Sequence, residues 1–174
     1  MQLEKNSKIY EYGCLLVYLN IPSWDLFCDN LQIKEEDLFE VNNERYGRES
    51  EPHCTILYGI HDDVDDDRII SLFSNLDKNR IDIESKGIDC FYNKDYDVLK
   101  INIESKELRK LNELAKKLPH TDTYSDYKPH ITIAYFEKGN ANPYINENFN
   151  MKINTIDKIV YSKTNGEKID ILFK

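Results

Sequence analysis

The feature that most constrains the fold is a seven-residue phrase that occurs twice. Residues 52–58 read PHCTILY and residues 129–135 read PHITIAY, so Pro, His, Thr and Tyr recur at the same offsets. Successive side chains of a β-strand point to opposite faces, which places each His and the Thr two residues later on one side of its strand. The repeat therefore predicts two similar strands that turn a His and a Thr toward one cleft. The four side chains are His53, Thr55, His130 and Thr132.

Patterning around the two phrases predicts a mixture of strands and helices. Apolar runs and alternation predict strands at 12–19, 53–59, 80–92, 96–103, 130–136, 151–162 and 167–173. Helical spacing and capping signals predict helices at 24–30, 34–40, 65–76 and 105–118. Because each phrase has a helix as a near neighbour, we expect a single domain over residues 1–174, built of two related lobes around a cleft.

Strand alternation also assigns two faces to each phrase. The face opposite the histidines is entirely apolar or aromatic, which predicts core and makes Tyr58 and Tyr135 packing residues. Leu57 and Ala134 are expected on the histidine side, where the small Ala134 would leave room for a ligand.

The paired His and Thr side chains point to phosphoester chemistry. Imidazole titrates near neutrality, so one ring can deprotonate an attacking oxygen while the other protonates the leaving oxygen. A Thr hydroxyl can donate to a phosphate oxygen and stabilise the charge that develops there. This scheme requires neither a metal ion nor another cofactor. A single H-x-T in a strand is commonplace, but two copies with shared Pro, His, Thr and Tyr favour the functional interpretation.

The composition of the chain limits the kinds of ligand that it is expected to bind. The net charge of −9 argues against a broad contact with a long nucleic acid, which requires a basic face. A small nucleotide in a local pocket stays compatible with that charge, because the field in a cleft can differ in sign from the net charge. The four cysteines are widely spaced, which predicts reduced, mostly buried thiols of a cytosolic protein. The chain begins without a signal-peptide pattern, and no segment approaches membrane-spanning length.

The two phrases resemble those of the 2H phosphoesterases, which carry two H-x-T/S motifs. The resemblance implies a bilobal, pseudo-symmetric α+β fold with two antiparallel sheets and flanking helices. It also implies metal-independent attack on cyclic nucleotides or RNA-type phosphodiesters, with the two His and two Thr as the catalytic residues. The run RYGRESEPHCTILYG at residues 45–59 is similar to the phage anti-CBASS subgroup, which destroys the cyclic oligonucleotide messengers of bacterial defence. The 2′-5′ RNA ligase-like subgroup usually carries more basic residues near its cleft, and this acidic chain departs from that pattern.

The leading hypothesis is a phage phosphodiesterase that hydrolyses a small cyclic nucleotide or cyclic oligonucleotide in the host cytoplasm. An enzyme acting on RNA 2′,3′-cyclic phosphates or 2′-5′ linkages is one alternative, and a non-catalytic nucleotide sponge is another. Candidate substrate contacts, from aromatic stacking or from polar contact with phosphate, are Tyr18, Tyr46, Arg48, Tyr124, Lys128 and Ser162. The acidic run at 61–67 predicts a helix start rather than a metal site, because adjacent residues on one loop seldom converge on a cation.

Overall fold

The computed structural model describes residues 9–41, 44–45, 47–74, 76, 81–122, 124, 126–153 and 158–173. Within these ranges the strands are β1 (Tyr12–Tyr18), β2 (Glu40–Val41), β3 (Glu44–Arg45), β4 (His53–His61), β5 (Glu84–Tyr92), β6 (Tyr96–Glu104), β7 (His130–Glu137), β8 (Lys158–Ser162) and β9 (Lys168–Leu172). The α-helices are α1 (Trp24–Asn30), α2 (Asp66–Ser74) and α3 (Lys106–Ala115), and short 3₁₀ helices occupy Glu35–Asp37 and Asn142–Tyr144. The fold is α+β, as predicted.

Two antiparallel sheets carry the repeated phrases. The first phrase forms β4, at one edge of a four-stranded sheet of order β4-β1-β8-β9. The second forms β7, at one edge of a three-stranded sheet of order β5-β6-β7. β2 and β3 pair only with each other among the described strands. β4 also contacts β7, so the two sheets meet along the strands that contain the histidines.

Irregular segments pair with both of these edge strands. Arg48 forms an isolated bridge with Ala134 of β7, and His120 forms one with Ile60 of β4. These bridges satisfy backbone groups that an edge strand would otherwise present to solvent. They also hold the loop that precedes each phrase against the strand that contains the other phrase.

Helix α3 forms where the sequence predicts it. The Ser105 hydroxyl caps the helix by accepting a hydrogen bond from the Leu108 amide at 3.2 Å. Leu108, Leu111 and Ala115 recur at helical spacing, and all three are buried in the core beneath β4. The helix ends at Ala115 rather than at 118, because the amides of residues 117 and 118 bond to carbonyls three residues back and tighten the chain into a turn.

The acidic run begins a helix, as predicted. Helix α2 starts at Asp66, and the Asp65 carboxylate accepts a hydrogen bond from the Asp67 amide at 2.9 Å. Carboxylates at this end of a helix complement its dipole. Asp66 also pairs with Lys163 at 2.8 Å, which ties the helix to the turn between β8 and β9.

Several predicted elements differ in extent. The helix predicted at 34–40 is only the 3₁₀ turn Glu35–Asp37, after which the chain enters β2. The strands predicted to begin at residues 80 and 151 begin at Glu84 and Lys158, while residues 77–80 and 154–157 lie outside the described ranges. Cys28, Cys54 and Cys90 are buried thiols, whereas Cys14 is partly exposed. None of the described helices has the length and apolar character needed to cross a bilayer.

Candidate active site

Each repeated phrase contains a β-bulge at the same position. The register between β1 and β4 skips Ile56, directly after Thr55. The register between β6 and β7 skips Ile133, directly after Thr132. A bulge inserts one extra residue and bends its strand, so the alternation of faces shifts by one position beyond it. The two phrases therefore share a local backbone feature as well as a sequence.

The bulges overturn the predicted faces in the second half of each phrase. Tyr58 is 44% exposed, and half-buried Tyr135 hydrogen-bonds with the Thr132 hydroxyl. The prediction that both tyrosines are core residues is therefore wrong. Leu57 and Ala134, expected beside the histidines, are buried in the core instead. Ala134 is completely inaccessible and leaves no room for a ligand.

Both histidines are held by the same backbone contact. Nδ1 of His53 lies 2.8 Å from the carbonyl oxygen of Glu51, and Nδ1 of His130 lies 2.7 Å from that of Lys128. A carbonyl oxygen can only accept, so each Nδ1 carries a proton and Nε2 is the acceptor of the neutral ring. Each His follows a proline, and each proline favours an extended backbone in the residue before the proline.

The two phrases meet through contacts between β4 and the start of β7. The Tyr127 hydroxyl donates to the Thr55 carbonyl at 3.0 Å, and the backbone amide of His130 hydrogen-bonds to the Cys54 thiol. His53 lies close enough to His130 for its charge to lower the pKa of the latter. Both imidazoles thus belong to one site at the junction of the two sheets.

The pKa of His130 is depressed. Burial lowers it most, because a desolvated imidazolium is unfavourable. The hydrogen bond to the Lys128 carbonyl acts in the opposite direction, and the positive charges of Lys100 and His53 lower the pKa further. These surroundings therefore favour the neutral form of His130.

A buried ammonium group lies beside His130. Lys100 of β6 is 2% exposed, and its Nζ lies 3.1 Å from Oδ2 of Asp89 and hydrogen-bonds to Oδ1 of Asn102. The same nitrogen lies 4.3 Å from the centroid of the Phe91 ring, whose edge-to-face contact with His130 has a centroid separation of 4.8 Å. These partners compensate for the loss of hydration that burial imposes on the charge.

His53 has the opposite electrostatic surroundings. The carboxylate Oε2 of Glu49 lies 3.9 Å from its Nδ1, which is complementary to an imidazolium. Tyr18 lies opposite His53 on β1, with ring centroids 6.0 Å apart in an edge-to-face arrangement. Lys168 sits over the Tyr18 ring at 4.9 Å, but its ammonium also pairs with Glu51 at 3.4 Å. The charged group nearest to the His53 ring in these contacts is thus the Glu49 carboxylate, whereas the Lys100 ammonium acts on His130.

A family model for the 2′-5′ RNA ligase superfamily matches residues 29–161, a stretch that contains both phrases. The chain belongs to this superfamily. The resemblance to 2H phosphoesterases is confirmed at this level, and membership indicates phosphoester chemistry. No curated protein matches the chain.

Two of the predicted substrate contacts lie on the four-stranded sheet of this 2′-5′ RNA ligase superfamily member. Tyr18 is the direct neighbour of His53. Ser162 lies opposite Cys14, whose thiol hydrogen-bonds with Thr55. Ser162 therefore shares the face of Thr55, one strand beyond β1.

The other predicted contacts have different surroundings. The Arg48 guanidinium donates to the carbonyl of Ile33 and pairs with Glu35 at 3.2 Å, so contact with a phosphate would require it to leave these partners. Tyr124 is 76% exposed and near enough to Tyr135 to influence its pKa. The Lys128 side chain is exposed, and its carbonyl orients His130. Tyr46 lies outside the described residues.

The sequence analysis did not identify Lys100 and Asn102 as neighbours of His130. Their alternation with apolar neighbours on β6 is visible in the sequence, but a Lys on an alternating strand is typical of a solvent-facing position. Among the described residues, no group of three or more His, Cys, Asp or Glu side chains is placed to hold a metal ion.

Proposed function

We propose that this chain is a metal-independent phosphodiesterase that acts on cyclic nucleotides or cyclic oligonucleotides. The observation that carries the proposal is the matched hydrogen bond from each Nδ1 to a backbone carbonyl. This contact fixes both rings and directs proton exchange to Nε2, the nitrogen that a general acid or base would use. The matched bulges in β4 and β7 support two related lobes, each of which contributes one histidine.

The contrasting surroundings of the two rings assign their roles. His130 is the general base, because burial and the Lys100 charge keep it neutral. Its Nε2 removes a proton from the attacking water as the new P–O bond forms. His53 is the general acid, since the nearby Glu49 carboxylate is complementary to its cationic form. Its Nε2–H protonates the leaving oxygen as the old P–O bond breaks.

The threonine hydroxyls complete the site. Thr55 and Thr132 follow their histidines on the same strand faces, and they donate to non-bridging phosphate oxygens in this scheme. Tyr135 hydrogen-bonds with Thr132 and orients its hydroxyl. The intact His and Thr pairs argue against a non-catalytic sponge.

The substrate class follows from the charges. The Lys100 and Lys168 ammonium groups near the histidines are paired with Asp89 and Glu51, which limits their attraction for a long phosphate backbone. A small ligand can instead gain affinity from stacking and from one or two phosphate contacts. Together with the similarity at residues 45–59, this supports a phage enzyme that degrades cyclic oligonucleotide messengers of bacterial defence in the host cytoplasm.

One alternative is compatible with the match to the 2′-5′ RNA ligase superfamily: an enzyme that acts on 2′-5′ linkages or on 2′,3′-cyclic RNA ends. The test is a panel of cyclic di- and trinucleotides and a single-stranded RNA ending in a 2′,3′-cyclic phosphate. Products are identified by mass, kcat/KM is measured at low and physiological salt, and His53→Ala serves as the inactive control. We expect efficient cleavage of the small ligands with a mild salt dependence. Preference for the RNA with a steep salt dependence would establish the alternative.

A further inference from the structure

The cleft face of β4 continues beyond the catalytic motif. The register between β1 and β4 skips Gly59 as well as Ile56, so the strand contains a second bulge. The two bulges together place four side chains on one face. All residues between these four are buried. The four are His53, Thr55, Tyr58 and His61.

The second bulge requires glycine. Gly59 has φ +104°, and a Cβ there would lie 2.3 Å from the carbonyl oxygen of Thr121. The Thr121 amide donates to the Gly59 carbonyl at 2.9 Å, and the Thr121 hydroxyl lies 2.9 Å from Nε2 of His61. The segment that contains Thr121 therefore holds the far end of the row in place.

Aromatic rings surround this end of the row. Tyr12 lies opposite His61 on β1, and its ring meets the Tyr58 ring edge to face with a centroid separation of 6.0 Å. Tyr10 stacks on His61 with a centroid separation of 3.7 Å and an interplanar angle of 11°. Tyr58 is the most exposed residue of the strand. An exposed ring with an aromatic neighbour at its edge is a surface suited to stacking with a flat ligand.

We propose that Tyr58, Tyr12 and His61 form a nucleobase subsite for the nucleoside attached to the phosphate that His53 and His130 cleave. Neighbouring positions on one strand face are about 7 Å apart, so Tyr58 lies within reach of a nucleoside whose phosphate contacts Thr55. Stacking on aromatic rings accepts any base, because every base has a π face. The inference rests on the proposed function and narrows it to substrates that carry a base beside the scissile phosphate.

The kinetic test compares Tyr58→Ala with the wild type on a nucleotide from the cleaved panel and on its analogue in which one base is replaced by hydrogen. We expect Tyr58→Ala to raise KM about 10-fold for the full substrate with kcat nearly unchanged, and to leave the abasic analogue unaffected. Tyr58→Phe should restore the KM. The matched control is Tyr92→Ala, which removes an exposed strand tyrosine bonded to Asn142. An unchanged KM in Tyr58→Ala, or an equal effect on the abasic analogue, overturns the subsite.

A binding test separates the subsite from the reaction. In a His130→Ala background, Tyr58→Trp places an indole on the proposed surface, and its fluorescence reports contact with a base. We expect quenching by dinucleotides but not by ribose 5-phosphate. Cleavage without such quenching would refute the subsite and retain the phosphodiesterase. The opposite outcome is also informative. If dinucleotides quench the fluorescence but the protein with intact His130 cleaves no member of the panel, the subsite is retained and the proposed function is refuted.

Discussion

Replacing Asn112 by leucine tests whether one buried side chain holds the bulge of the first phrase. Asn112 lies on α3, is 5% exposed, and donates from Nδ2 to the Ile56 carbonyl at 2.7 Å. The extra residue of a bulge is left without a partner in the strand ladder, and Asn112 supplies that partner. In the second phrase the equivalent carbonyl, that of Ile133, accepts from the backbone amide of Glu49 at 2.8 Å. Only the first of these two contacts can be removed by substituting a side chain.

The expected loss of stability follows from this single hydrogen bond. A buried carbonyl left unsatisfied costs about 1–3 kcal/mol, while leucine has the same branching and number of side-chain heavy atoms as asparagine and leaves no cavity. For a chain of this length each kcal/mol lowers Tm by roughly 2–4 °C, so we expect a decrease of about 2–12 °C. Urea and thermal unfolding measure the change. Glu113→Leu, on the exposed side of the same helix, is the control and should stay within about 0.5 kcal/mol of wild type.

Activity should fall as well, because the bulge orients Thr55 and Tyr58. Measured at a temperature where both variants are folded, kcat/KM of Asn112→Leu should decrease by about 10- to 100-fold relative to the Glu113→Leu control. If Asn112→Leu is as stable and as active as that control, Asn112 does not determine the bulge and the reasoning is refuted.

Three further predictions concern the catalytic pair. His53→Ala and His130→Ala should each lower kcat about 100-fold or more without abolishing substrate binding. The kcat of the double variant should be little lower than that of the less active single variant. Near-full activity of either single variant would contradict the paired mechanism. Activity should persist in excess EDTA. If EDTA abolishes activity and a divalent ion restores it, the metal-independent mechanism is wrong and residues 61–67 become the candidate metal site. Burial and the Lys100 charge lower the pKa of His130, so Lys100→Met should raise that pKa and move the acidic limb of kcat/KM to higher pH, with a larger loss at pH 6 than at pH 8. The control Lys86→Met, at an exposed site, should leave the acidic limb of kcat/KM unchanged. If Lys100→Met also leaves it unchanged, Lys100 does not influence the pKa of His130.

Elements specified by local signals were predictable from the sequence. Helix α1 begins and ends at the predicted residues, and both histidine strands begin at the predicted His. Pro before each His and Ser before α3 act within one or two residues, so no tertiary information is needed to interpret them. The match to the superfamily likewise follows from motifs that are visible in the chain.

Features set by tertiary contacts were not predictable. Residues 34–40 have helical spacing, yet the Phe39 amide bonds to the Tyr135 carbonyl at 3.0 Å, and this pairing with β7 replaces the last turn of a helix. The bulges leave no trace in composition, since Leu57 and Ala134 suit a core face and a lined cleft equally well. One skipped residue in each strand nevertheless places Tyr58 and Tyr135 on the faces that carry the histidines rather than in the predicted core.

The two histidines differ in their surroundings, and the repeated phrase gives no sign of this difference. Identical motifs predict equivalent imidazoles, and both rings do share the same Nδ1 contact. Their neighbours come from elsewhere in the chain, however: Lys100 belongs to the strand beside β7, whereas Glu49 belongs to the segment before β4. A buried cation in a chain of net charge −9 is costly unless it is paired, and Asp89 offsets that cost without shielding His130 completely. In the proposed mechanism this difference in surroundings makes His130 the general base and His53 the general acid, a distinction that the repeated sequence does not contain.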